Sequence, residues 1–98
     1  MIVRIVRMHF RPDAVAAFEE LFDIHKEQIR SQDGCSLLEL YQDKEDHCSF
    51  YTYSYWKSEE ALNNYRHSAL FSEVWPATKA LFDQKPTANS LNKIHSLL

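Results

Sequence analysis

Histidine is the side chain whose charge ordinarily changes near neutral pH, and two of the five in this chain stand where a base could be useful. His25 falls on a repeating stripe with Val15, Phe18, Phe22 and Ile29, which turns it toward an interior. It is either a base touching a pocket or a satisfied histidine at a helix edge. His67 occupies a freer position between helical segments and is the alternative base, with Tyr65 nearby as a donor to an anion. His47 lies in a charged turn and His95 near the C-terminus, where both read as solvated. No His, Asp, Glu or Cys set has metal-ligand spacing, and no Ser-His-Asp arrangement can be assembled. The single glycine, Gly34, excludes the multi-glycine loops that cradle phosphates and dinucleotides. Neither metal nor cofactor is expected. Aromatic surface is what the chain has instead: thirteen Phe, Trp and Tyr residues, most of them from Tyr41 to Trp75.

The elements that position these groups follow from periodicity. Residues 2–10 alternate as a strand, with Ile2, Arg4, Val6, Met8 and Phe10 on one face and Val3, Ile5, Arg7 and His9 on the other. Pro12 ends it, and the striped helix runs to Ser31, where Gly34 suits a left-handed turn. Strands are expected over about 35–42 and 48–56, joined by the polar turn 43–47 as a hairpin. Ser58 is a plausible N-cap, followed by Glu59 and Glu60 in the first turn. The second helical region reaches about Phe82, and Pro76 is expected to mark a kink or a restart in it. A weak last strand covers about 88–95. The order β-α-β, β-α-β predicts an α+β, ferredoxin-like split arrangement with a four-stranded antiparallel sheet.

The chain reads as one domain, 1–98, with its core over about 2–95. Eleven basic against fourteen acidic residues, a net charge of −3 and no basic stripe argue against nucleic acid. No apolar run approaches the roughly 18 residues of a membrane span. The N-terminus alternates with charges and lacks a signal peptide's apolar core, so the cytoplasm, with reduced thiols, is the expected location. Cys35 and Cys48 flank the hairpin and could lie roughly opposite each other.

The strand over 48–56 also predicts a partner. Cys48, Phe50, Thr52, Ser54 and Trp56 point one way, and Ser49, Tyr51, Tyr53 and Tyr55 the other. The helices can cover only one face. The other carries the tyrosines together with Val3 and Ile5, and a second copy of the chain is the economical cover. A homodimer packed sheet to sheet is expected. Arg7 and His9 belong to that side, as polar groups pairing with Glu39 or tyrosine hydroxyls.

The string Trp56-Lys57-Ser58-Glu59-Glu60-Ala61-Leu62, followed by Tyr65, Ser68 and Phe71, resembles the antibiotic biosynthesis monooxygenase domain family. Arg11-Pro12 before the first helix and Gly34 before the second strand fit the same pattern. The resemblance implies a dimeric α+β barrel with a pocket in each subunit between sheet and helices. It also implies either cofactor-free oxygenation of polycyclic phenols or quinols, or haem degradation. The haem-degrading branch carries an Asn late in the first strand, then a Trp and a His ten residues apart. Here those positions read Val6 and Arg7, then Tyr65 and Trp75, so haem degradation is not expected. A histidine pair common among quinol-type relatives is replaced by Tyr65 and Leu70.

Cofactor-free oxygenation needs an aromatic cavity, a base or acceptor, and donors that hold an anion. The expected lining is Val6, Met8, Phe22, His25, Phe50 and Thr52, then Ser54, Trp56, Tyr65, Phe71 and Trp75, rich in aromatic surface and short of charge. Trp56, His25 and His67 are the expected catalytic groups. Trp56 stacks on the substrate or offers its indole N–H to an oxyanion, unless it only closes the core. Phe22, Phe50, Thr52, Ser54, Tyr65, Phe71 and Trp75 are the expected contacts to a small aromatic molecule. The rival expectation is a non-catalytic ligand-binding or regulatory barrel that has lost the base.

Overall fold

A computed structural model describes residues 1–98. Strand β1 (Ile2–His9) leads through a short 3-10 turn at Pro12–Ala14 into α1 (Val15–Arg30). The hairpin β2 (Cys35–Gln42) and β3 (Ser49–Trp56) follows, then α2 (Glu59–Arg66), α3 (Ala69–Lys79) and β4 (Thr87–Asn92). The sheet is antiparallel in the order β2-β3-β1-β4, the split β-α-β topology expected from the element order. No helix is long and apolar enough to cross a membrane.

The register sorts side chains into rows across the sheet. Leu38, Ser54, Arg4 and Ser90 form one row, and Leu40, Thr52, Val6 and Ala88 the next. These rows and Met8–Phe50 face the helices. There Met8, Phe10, Phe18 and Phe50 make the main core, with Phe10 stacked on Phe18 at 4.1 Å. A second cluster, Cys35, Trp56, Ala61 and Leu62, docks α2 on the opposite end of the sheet. The other face carries the rows Leu37–Tyr55–Val3–Leu91, Glu39–Tyr53–Ile5–Asn89 and Tyr41–Tyr51–Arg7–Thr87, with no helix over them.

The expectations for Pro76 and for the two cysteines are corrected. Pro76 does not restart the helical region. It sits inside α3, and the break falls at His67–Ser68, where the Ser68 hydroxyl accepts from the Phe71 amide at 3.1 Å. The carbonyl that Pro76 leaves without an amide belongs to exposed Ser72, where water can satisfy it. Cys35 and Cys48 do not lie opposite each other. Cys35 pairs with Trp56 at one end of the hairpin, whereas Cys48 leads into β3 at the other, and both thiols are free.

Gly34 has φ +86°, and its carbonyl accepts from the Lys57 amide at 2.8 Å. A Cβ there would lie 2.6 Å from the Ala61 Cβ, so the turn and α2 meet through the missing side chain. Gly34→Ala combines that clash with a left-handed backbone and is expected to cost at least about 2 kcal/mol. Thermal unfolding checks it: the midpoint should fall by roughly 8 °C or more, and adding Ala61→Gly should recover part of the loss.

His9 does not pair with Glu39 or with tyrosines. Its Nδ1 lies 2.5 Å from Asp83 Oδ1 and its Nε2 2.9 Å from Asp46 Oδ2, which ties β1 to the hairpin turn and to the segment before β4. The hydrogen bond to Asp83 is the largest influence raising the pKa of His9 above its usual 6.5, with Asp46 acting in the same direction. Asp46 is held below its usual 3.8, first by the Cys48 amide and then by His9. A histidine pKa raised by folding stabilises fully below the unfolded value and loses that contribution as pH rises through the folded one. The clamp's histidine contribution should therefore fade as pH rises from the usual histidine value of 6.5 through the raised folded one. Thermal midpoints across that range should fall in the native protein and fall less in His9→Gln.

Candidate active site

A cavity of about 280 Å³ separates the sheet from the helices. Its floor is the strand face that alternation delivers: Arg4, Val6 and Met8 from β1, with Thr52, Ser54 and Trp56 from β3. Phe18, Phe22 and Ile29 wall it from α1, and Leu62, Tyr65 and Arg66 from α2. The α3 side is Phe71, Val74, Trp75 and Thr78. Aromatic rings run along this wall in contact. Trp56 stacks on Tyr65 at 5.1 Å, Tyr65 meets Phe71 edge-on at 5.2 Å, and Phe71 stacks on Trp75 at 5.8 Å. An apolar cavity of about 150 Å³ accommodates benzene, so this one has the size for fused aromatic rings.

The polar groups in the cavity are donors. Trp56 is 2% exposed, and its indole Nε1 donates to Ser54 Oγ at 3.0 Å. That N–H is committed, whereas the Ser54 hydroxyl proton is free to meet a ligand, as is that of Thr52 on the same floor. Burial pushes the Tyr65 phenol up to about 12, so it stays protonated and can donate. Thr78 Oγ1 donates to the Val74 carbonyl at 2.8 Å and so serves its own helix. Arg4 donates to Ser90 Oγ at 2.9 Å, and its pKa is lowered first by burial and then by the charge of Arg66. No Asp, Glu, His or Cys lines the cavity.

The structure brings together Phe22, Thr52, Ser54, Trp56, Tyr65, Phe71 and Trp75 around this space, with Val6 and Met8. It does not bring in Phe50, His25 or His67. Phe50 is 1% exposed and packed beneath the floor among Phe10 and Phe18. His25 Nδ1 donates to the Leu21 carbonyl at 2.9 Å, and its Nε2 lies 3.9 Å from Glu73 on α3. Its ring thus fills the α1–α3 contact rather than the pocket. His67 is exposed at the end of α2 and donates to the Asn63 carbonyl at 2.8 Å.

The expected shortage of charge is also corrected, because Arg4 and Arg66 both line the cavity. Alternation already placed Arg4 on the correct face. Arg66 had no comparable signal, since its place on the rim depends on where α2 stops.

Asp46, His47 and Cys48 form a cluster outside the cavity that spacing had not suggested, with potential ligand atoms all within 4.8 Å of one another. The Asp46 carboxylate is already engaged there. Oδ1 accepts from the Cys48 amide at 3.0 Å, and Oδ2 meets His9. The cluster shapes the hairpin turn.

The profile of the antibiotic biosynthesis monooxygenase family matches residues 1–75. No curated protein matches the chain. Among solved structures, one described as an antibiotic biosynthesis monooxygenase superposes with a TM-score of 0.91 at 21% identity, covering 97% of this chain and 100% of that one. A conserved protein from Methanosarcina mazei Go1 gives 0.88 at 24% identity, with 95% and 93% covered. SnoaB, a cofactor-independent oxygenase from Streptomyces nogalater, gives 0.87 at 18% identity, with 98% and 95% covered. At these identities the structural likeness speaks for the fold.

Proposed function

The chain belongs to the antibiotic biosynthesis monooxygenase family, and from that premise we propose that it is a cofactor-independent monooxygenase of small phenolic or quinol-type aromatic molecules, working as a homodimer. The observation that carries this reading is the cavity: aromatic walls, donors on the floor, and room for fused rings. The likeness to SnoaB supports it by fold. An electron-rich ring held against Trp56, Tyr65 and Phe71 loses its acidic proton to solvent and becomes an anion, and the Ser54 hydroxyl donates to its oxygen. The anion reduces dioxygen directly, and the aromatic walls shield the intermediates from bulk water. For an anthrone-type substrate the balance closes without a co-reductant. The methylene carbon and dioxygen give a carbonyl and one water, and the substrate supplies all the electrons. Catalytic roles for His25 and His67 are not part of this proposal, because neither lines the cavity.

The homodimer rests on the uncovered face of the sheet. Tyr51, Tyr53 and Tyr55 lie there half-exposed, in register with Arg7, Ile5 and the buried Val3, and Tyr41 is 51% exposed. A second copy laid sheet to sheet covers both surfaces at once. The compartment proposed is the cytoplasm, where two thiols at opposite ends of a hairpin remain reduced.

A second reading, a non-catalytic ligand-binding or regulatory barrel, is favoured by the absence of any base from the lining. Oxygen uptake separates the two. With naphthoquinols or anthrones in air, the protein should consume oxygen above background, and Ser54→Ala should slow it by about 10-fold or more, as losing an oxyanion donor does. Quenching of tryptophan fluorescence by the same compounds without uptake would establish the binder instead.

A further inference from the structure

The cavity holds two guanidiniums and no carboxylate. Arg4 rises from the sheet floor, and Arg66 comes from the last turn of α2. The carboxylates engaged in ion pairs are held by His9, Arg11, His25 and Lys26, none of which lines the cavity. Arg4 has only the neutral Ser90 hydroxyl, and Arg66 is close enough to depress its pKa. Fourteen acidic residues are available in the chain, and none is placed here.

Arg4 is partly desolvated and exposed Arg66 adds a second positive charge beside it, a pairing that a negative charge between them would favour. The C-terminal end of α2 offsets part of the Arg66 charge but does not reach the sheet floor under Arg4. The remaining titratable group is Tyr65, which is a protonated donor. The surfaces offered by α1, β2, β3, α3 and β4 carry no titratable side chain. The only charges lining the cavity are therefore positive, which favours an anion.

We propose that Arg4 and Arg66 form a receptor for the oxyanion of the aromatic ligand, so that the pocket takes up a phenol or enol in its ionised form. This rests on the aromatic-pocket reading above and names the class of molecule within it: one whose ring oxygen can ionise. It also explains how a pocket without a base prepares its ligand. The proton leaves to water, and the guanidiniums hold the anion that remains.

The test uses 4-nitro-1-naphthol, whose anion absorbs in the visible, and its methyl ether, which cannot ionise. Titrated on saturating protein, the bound naphthol should ionise about 1 pH unit or more below the free compound, as expected for an opposite charge nearby. Exposed Arg66→Gln should reduce the shift, Arg66→Lys should retain most of it, and the Arg4→Gln/Arg66→Gln pair should abolish it. If the ether quenches tryptophan fluorescence while the bound naphthol shows no lowered pKa, this inference fails and the pocket reading stands. A lowered pKa that survives in the double variant overturns it too. If neither compound quenches, both readings fall.

Discussion

Truncating Phe50 to alanine is expected to remove about 3–5 kcal/mol of stability, a large share of the roughly 5–15 kcal/mol typical of a small domain. The ring is 1% exposed and meets Phe18 edge-on at 5.1 Å and Phe10 at 5.8 Å. It sits on the helix face of β3 opposite Met8, where sheet, α1 and the segment after α3 converge. No neighbour can fill the space without leaving its own contacts, so the cavity term adds to the transfer term. Denaturant unfolding should show a lower midpoint with an unchanged slope. A loss below about 1 kcal/mol would mean that Phe50 is not central to the core. The same variant separates core from contact: its defect should be in stability, whereas truncating Phe71 on the cavity wall should chiefly weaken ligand binding.

Placing a glutamate at Tyr53 is expected to convert the proposed dimer to monomer. Tyr53 stands in the row Glu39–Tyr53–Ile5–Asn89, central on the uncovered face, with its hydroxyl 3.2 Å from that of Tyr55. Sheet-to-sheet pairing by a two-fold buries that position in both copies, so one substitution introduces two uncompensated charges beside Glu39. A buried unpaired charge costs about 3–5 kcal/mol, which corresponds to weakening by roughly 10²- to 10³-fold or more. Sedimentation across a micromolar range should show a dimer for the native chain and a monomer for Tyr53→Glu with its secondary structure intact. A native chain that sediments as a monomer at micromolar concentration would contradict the interface.

Much of this architecture is written locally. Alternation over 2–10 and 48–56 assigns both faces of the central strands, and that periodicity carries Thr52, Ser54 and Trp56 to the cavity floor. Gly34 and Ser58 mark real boundaries because each satisfies a local backbone demand: a positive φ in one case, the Ala61 amide in the other. The break between α2 and α3 is less visible. Ser68 caps α3 without an acidic residue three positions on, while Pro76 advertises a break that an exposed helix surface tolerates. The position of His67 between helical segments hints at that break, but the place of Arg66 on the rim follows only from α2 ending at Arg66. His25 shows the converse limit. Its stripe points inward, but which inward surface it meets depends on how α3 crosses α1, and that is a tertiary fact. The His9 clamp depends likewise on two acidic residues 37 and 74 positions away.

In the proposed reaction, the cavity bounded by Trp56, Ser54 and Tyr65 inserts oxygen into a bound aromatic anion with no cofactor. Oxidation of anthrone under ¹⁸O₂, by protein freed of metal with a chelator, tests it most directly. The expected result is product carrying one labelled oxygen, one labelled water per turnover, and a rate that falls in Ser54→Ala. Product without label, or a rate no greater than in protein-free buffer, would contradict it.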